Sequence, residues 1–324
     1  MAILDGVLYA TIGQFSSDPE DPGFEDFAVV AAINEDGTAT TVASTWDFER
    51  ANNPDGTTLF DSHPYGLAAG PDGALYVADA GANDVLRVDP ATGEVSLVAA
   101  FDGIPGVFPS DTRGGELLTD PVPTNLVFDD EGNAYVAYLS GAPFIPGTSG
   151  IKLIAPDGTV SDYASGLTMT TDVRWGPDGE LYATQFGLFT DQGPVPDSGS
   201  VIRVNGGEDF EVVVEGLPFV TSLDFDADGN LFVAINGLGA PGSGQVVMFE
   251  GVAAGEGGEE AVCGDQQLLK LLRTEAAAVG VRDKEVVVDR VEADRRGQVR
   301  VGKLGAGKVE ELAAVLVPVA AQLG

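Results

Sequence analysis

The sequence predicts an all-β fold, a β-propeller of four-stranded blades, and three observations carry that expectation. The first is composition: 44 Gly and 19 Pro among 324 residues, with 44% hydrophobic residues, suit many short strands joined by turns better than long helices. The second is self-similarity. Segments PYGLAAGPDGALYVAD (64–79), PTNLVFDDEGNAYVAY (123–138), TTDVRWGPDGELYATQ (170–185) and VTSLDFDADGNLFVAI (220–235) superimpose. The third is spacing: the turn glycines Gly73, Gly132, Gly179 and Gly229 lie 59, 47 and 50 residues apart, which fits one four-stranded blade with variable loops.

Each unit reads the same way. An apolar strand enters a turn ending in Gly, which takes positive φ without a Cβ clash, and the preceding acidic residue can bond its own backbone. The next strand carries Tyr76, Tyr135, Tyr182 or Phe232 at one equivalent position, where an aromatic can wedge between neighbouring blades. Third strands follow at 85–89, 151–155, 201–205 and 246–250, and outer strands at 95–101 and 210–217. An earlier unit is incomplete: Asp5-Gly6 aligns with the turn and 7–11 with the second strand, with further strands at 27–34 and 38–45. Its inner strand should precede the turn, where the chain begins. The expectation is therefore five recognisable units, one lacking its innermost strand, in a ring that closes differently or in a fragment.

Domain boundaries follow composition. Residues 1–250 form the propeller, 251–260 (GVAAGEGGEE) a Gly/Glu linker, and 261–324 a C-terminal tail. Within the tail, 266–281 has helical spacing, 285–301 resembles a hairpin and 309–324 looks helical until Pro318. Three readings compete for it: a small α+β appendage, a closing element that supplies the missing strand, or a disordered or out-of-frame segment foreign to the propeller.

Charge excludes some partners. The chain holds 51 acidic and 16 basic residues; of these only 9 acidic and 10 basic fall in 261–324, leaving 42 and 6 before it. So acidic a surface repels nucleic acid and anionic membrane. It reads as solubility in high salt or as a field that attracts cations. No apolar run approaches the roughly 20 residues needed to span a bilayer, and the N-terminus lacks a secretory-signal pattern. The single cysteine, Cys263, excludes an internal disulfide framework.

Several stretches resemble the ScyD/ScyE family of NHL-like propellers: WDFERANNPDG (46–56), 61–90, PVPTNLVF (121–128), 141–154, 163–184 and 214–225. The resemblance covers about residues 1–250. It implies a six-bladed propeller, exported and so extracellular or periplasmic. Against that pattern the chain lacks a signal and roughly one N-terminal blade, and it carries a tail that the family does not have.

In a propeller the starts of the inner strands surround the central channel, where ligands collect. Those positions here are His63-Pro64-Tyr65, Thr124-Asn125, Thr171-Asp172 and Thr221-Ser222, the expected ligand-binding set. Asn125, Asp172 and Ser222 offer oxygens from successive blades, which suits a hard cation such as Ca2+, with Asn125 and Asp172 as metal ligands. The bland reading has them bonding neighbouring backbone at a crowded axis. Gluconolactonase-like propellers use a similar acid-plus-Asn set around a divalent ion, with a further first-blade carboxylate that is absent here.

Other candidates are weaker. Asp224, Asp226 and Asp228 before Gly229 match the start of a calcium loop, but Ile235 stands where the bidentate Glu belongs, so a strand-connecting turn is the better reading. His63, the single histidine, lies beside Asp61 and Ser62, and adjacency in sequence does not make a triad; no catalytic residue is assigned. ANNPDG (51–56) is turn chemistry with the length of a rim loop. Two functions stay open: a non-catalytic propeller presenting its channel mouth or rim to a small molecule, polysaccharide or protein, and a metal-assisted lactonase-like hydrolase or lyase acting in the channel.

Overall fold

A computed structural model describes residues 1–13, 20 and 27–254, together with the backbone of 289–293 and 299–303. The fold is all-β, a propeller of small antiparallel sheets. The first sheet comprises Ala2–Leu4, Val7–Ile12, Val29–Ile33 and Ala39–Ser44. The second comprises Pro64–Ala69, Leu75–Asp79, Asp84–Val88 and Val95–Ala100, and the third Pro123–Phe128, Ala134–Tyr138, Ser149–Ile154 and Val160–Leu167. The fourth holds Thr170–Trp175, Leu181–Gln185, Gly199–Gly206 and Asp209–Leu217; the fifth holds Ser222–Phe225, Leu231–Ile235 and Gln245–Phe249. Strand order within each sheet follows chain order, as successive antiparallel connections produce. The chain divides into two compact units, Met1–Val173 with Gly206–Asp209, and Arg174–Asn205 with Phe210–Gly324.

In the first unit, the sheets meet through their first strands. A Cβ placed on Gly66 would lie 2.5 Å from the Thr124 carbonyl oxygen and 2.6 Å from Asn125 Cα, so glycine is what lets the two backbones approach. The Thr11 hydroxyl donates to the Tyr65 carbonyl at 2.9 Å, and the Thr124 hydroxyl to the Thr170 carbonyl at 3.0 Å. Behind these strands Leu67, Leu75, Val77, Leu86 and Val88 form one buried cluster, and Val85, Leu126, Val136 and Ile154 belong to another. Tyr76 meets Phe128 of the next sheet edge-on at 4.8 Å, the expected wedge. Tyr135 instead packs on Tyr163 of its own sheet.

Two features of this unit differ from the sequence expectation. The first sheet does have its innermost strand: Ala2–Leu4 pairs with Val7–Tyr9 in the register Ala2↔Tyr9, Ile3↔Leu8, Leu4↔Val7. Three residues suffice because pairing uses backbone groups and the tight Asp5-Gly6 turn, both at positive φ, brings them round. The second is a helix, α1 (Thr45–Asn52), which the sequence reading did not anticipate and which runs into the ANNPDG turn at 51–56. Ser44 caps it by accepting from the Asp47 amide at 3.0 Å, and Asn53 ends it in the left-handed conformation.

In the second unit, Tyr182, Val201, Leu217, Leu223, Leu231 and Val233 form the core. Tyr182 packs on Phe225 with ring centroids 4.8 Å apart, and its hydroxyl donates to Asp178 at 2.7 Å. The fifth sheet has three strands among the described residues. Residues 251–254 are folded against it: the Ala253 amide donates to the Gly229 carbonyl at 3.0 Å, and a Cβ on Gly229, at φ +81°, would lie 2.5 Å from Ala253. Asp226 accepts from the Asp228 and Asn230 amides at 3.0 and 2.9 Å, so the calcium-loop-like stretch is a self-bonded turn. Backbone strands Asp289–Ala293 and Val299–Lys303 pair antiparallel. The helical expectations for 266–281 and 309–324, the remaining linker residues and Cys263 lie outside the described residues. No described helix is long and apolar enough to cross a membrane.

Leu86 is 1% exposed, whereas Val212 is 47% exposed. Leu86→Ala should lower unfolding free energy by about 2–5 kcal/mol through lost burial and a cavity. Val212→Thr should change it by no more than about 0.5 kcal/mol. Urea denaturation checks both.

Candidate functional site

The first strands of the second and third sheets and the start of the fourth bring Tyr65, Asn125 and Asp172 together. Asn125 and Asp172 are buried, and the Asn125 amide donates from Nδ2 to Asp172 Oδ1. The same carboxylate oxygen accepts from the Val173 amide at 2.8 Å. Tyr65 is half-buried. Its phenol pKa is raised, first by burial and then by the Asp172 charge, so it stays a neutral hydrogen-bond donor throughout the physiological range. A buried carboxylate oriented by an amide, with a neutral phenol nearby, can polarise water or hold a polar ligand.

The other predicted positions divide. Thr124 is buried and gives its hydroxyl to backbone carbonyls of Ala137 and Thr170 at 3.2 and 3.0 Å, which is the structural role. Thr171 is buried beside Asp172. His63 is half-buried against Gly13, where an added Cβ would lie 2.6 Å from ring Nε2. Thr221 and Ser222 belong to the second unit; both are half-buried, and the Thr221 amide bonds the Ala234 carbonyl at 3.0 Å. As ligands for a cation, Asn125 and Asp172 offer one amide oxygen and one carboxylate, with the Asn125 Nδ2 bonded to Asp172 Oδ1. Among the described residues no group of three or more His, Cys, Asp or Glu side chains is gathered to hold a metal. Six to eight oxygens around Ca2+ are not assembled at this pair.

A second polar cluster was not anticipated. Ser62 bonds Asp79 rather than His63: its oxygen lies 2.7 Å from Asp79 Oδ2 and 2.7 Å from the Thr45 hydroxyl, which reaches the Ala28 carbonyl at 2.9 Å. Ser62 donates to Asp79 Oδ2 and Thr45 donates to the Ala28 carbonyl, with the two hydroxyls in contact with each other. Asp79 Oδ1 accepts from the His63 amide at 2.6 Å and the Gly81 and Ala82 amides at 3.2 Å. Burial raises the Asp79 pKa, against the opposing pull of the Ser62 hydroxyl and the Ala82 and His63 amides.

Around it lie further buried carboxyls: Glu49 on α1, Asp55, Asp61 and Asp84. Asp55 is paired; it accepts from Asn83 at 2.9 Å and faces Arg113 at 3.6 Å. Burial, then the charges of Asp55 and Asp79, push Glu49 up to about 8. Asp84 is raised by burial and by Asp79, Glu49 and Asp55. The sequence signal for these residues is faint. An acid opens the apolar strand DVLRV, and Ser44 with Asp47 marks a helix start that would carry Glu49 inward.

No protein-family profile matches the chain. The chain is 27% identical over 186 residues to a gluconolactonase of Zymomonas mobilis, a match that covers 53% of this chain and 49% of that protein. The chain thus spans about half the length of the curated relative it matches. Among solved structures it is similar to a gluconolactonase from Xanthomonas campestris (16% identity, TM-score 0.45, 70% of this chain and 66% of that one). It is also similar to virginiamycin B lyase from Staphylococcus aureus (12% identity, TM-score 0.40, 64% of this chain and 56% of that one).

The raised pKa of Glu49 has a measurable consequence. Its stabilising contribution is complete below the ordinary value of 4.5 and is lost as pH rises through about 8. The groups facing it are Asp55, Asp79 and Asp61. In metal-free buffer the melting temperature should therefore fall across that window, and Glu49→Gln should flatten the fall. Thermal melts at half-unit pH steps check it.

Proposed function

We propose that the chain is a lactonase-like hydrolase that opens a sugar-type lactone at the Asn125–Asp172 pair. The observation that carries the reading is that pair itself: a buried carboxylate, oriented by an amide from the next sheet's first strand, beside a phenol that stays protonated. The 27% identity to a gluconolactonase supports it. In this reading Asp172 accepts a proton from water while the water oxygen bonds to the lactone carbonyl carbon. The tetrahedral adduct collapses with cleavage of the ring C–O bond. Asp172 then returns the proton to the departing alkoxide, giving the open hydroxy acid. Tyr65 donates to oxygen on the substrate, and Asn125 acts as a positioning residue that holds the Asp172 carboxylate.

A non-catalytic propeller that only binds such a molecule is the second reading. It is favoured by the hydrogen bonds that already engage Asp172 Oδ1, from the Asn125 amide and the Val173 N–H. The resemblance to the ScyD/ScyE propellers, and with it an exported location, fits either reading and belongs to the proposal.

A pH-stat assay with glucono-δ-lactone and related aldonolactones tests the choice. Hydrolysis above the spontaneous rate should appear with the full chain and drop about 10²–10⁴-fold in Asp172→Ala, as loss of a general base does. In Asn125→Ala the acid limb of the pH–rate profile should move, since the carboxylate loses its partner. A spontaneous rate together with calorimetric binding of the lactone or its open acid would favour the binding reading. Neither rate nor binding would overturn both.

A further inference from the structure

We infer that the buried carboxyls of Glu49 and Asp84 hold a hard cation, with calcium the matching probe, at a site separate from the Asn125–Asp172 pair. Glu49 is 1% exposed and Asp84 fully buried. Neither Asp84 carboxyl oxygen has a hydrogen-bond partner, and the Glu49 carboxyl, likewise unpaired by distance and angle, has only the pull of the Asp61 backbone N–H. One turn beyond Glu49, at the end of α1, Asn53 Oδ1 is a further buried oxygen without a partner.

Protonation alone does not satisfy these groups. A neutral buried acid still presents an O–H donor and a carbonyl acceptor, and leaving either unpaired costs about 1–3 kcal/mol per group in proteins generally. A cation removes the deficit at every oxygen it touches and cancels the repulsion among the acids. Other positive charge is already committed. Arg113 serves Asp120 at 2.7 Å and Asp55 at 3.6 Å. Asp79 is occupied by Ser62 and three backbone amides.

Oxygen-only donors, with carboxylates capable of bidentate contact, suit calcium over softer metals. Two carboxylates can supply four of its oxygens, with Asn53, backbone carbonyls and water completing the shell. The acids reside on α1 and at the first position of the strand Asp84–Val88, so the ion would fasten the helix to the second sheet. The excess of 42 acidic over 6 basic residues before position 261 favours cation uptake. The site does not depend on the lactonase reading.

The test uses the full chain stripped with a chelator and melted at neutral pH with and without calcium. A calcium concentration a hundredfold above Kd should raise Tm by about 5–10 °C. Glu49→Gln and Asp84→Asn should each abolish the rise, and Asp172→Ala should keep it. Both variants remove an unpaired carboxyl rather than a contact, so each should melt no lower than the parent in chelator. Equilibrium dialysis with radioactive calcium should show one bound ion fewer in each. No rise in Tm and no bound ion in the parent would overturn the inference. So would a rise that survives both variants, or one lost only in Asp172→Ala, which would place the ion at the other pair.

Discussion

The constraint on which the first unit's site depends is the approach of first strands at Gly66, where a single methyl group would strike the Thr124 carbonyl and Asn125 Cα at 2.5 and 2.6 Å. That approach puts Asn125 in a dry, crowded place where its amide must find a partner, and Asp172 is the partner it finds. It also gives Thr124 its two backbone carbonyl contacts. The same crowding that reads as structure therefore orients the buried Asp172 carboxylate. Tyr65, next to Gly66 in the chain, inherits its raised pKa from the same closeness.

Buried acid recurs around α1, where it follows a different rule. Asp79 is fully satisfied and acts as a hub for the segment 61–63 and the loop 79–84. Gly81 is part of that hub, since a Cβ there would lie 2.7 Å from Asp61 Cγ. Glu49 and Asp84 are the exceptions, buried without hydrogen bonds. Buried polar groups are nearly always paired, and that contrast inside one cluster is what singles these two out. In a chain so short of Lys and Arg, a solvent cation is the available counter-charge.

Strands and turns were legible because each obeys a local rule. Alternation and a glycine at positive φ, as at Gly73 and Gly132, mark a hairpin without reference to anything distant. Asn125 and Asp172 were legible for the same reason: they occupy one place in two aligned repeats. The innermost strand of the first sheet was missed because three residues carry no periodic signal, and only pairing with Val7–Tyr9 defines it. Helix α1 was missed because Asn52, Asn53 and Pro54 read as turn, although Ser44 and Asp47 mark its cap. The Glu49–Asp84 cluster had only a faint sequence signature. Its members lie 35 residues apart, and only the tertiary path of α1 and the second sheet brings their charges into mutual reach.

The most direct test of the central claim is a crystal structure with the open acid of a sugar lactone, the product of the proposed reaction. The account predicts that the ligand's carboxyl end lies against Asp172 and the Tyr65 hydroxyl, with the Asn125 amide still on Asp172. A ligand bound at the rim loops, away from Asn125 and Asp172, would contradict it and make that pair a structural contact alone.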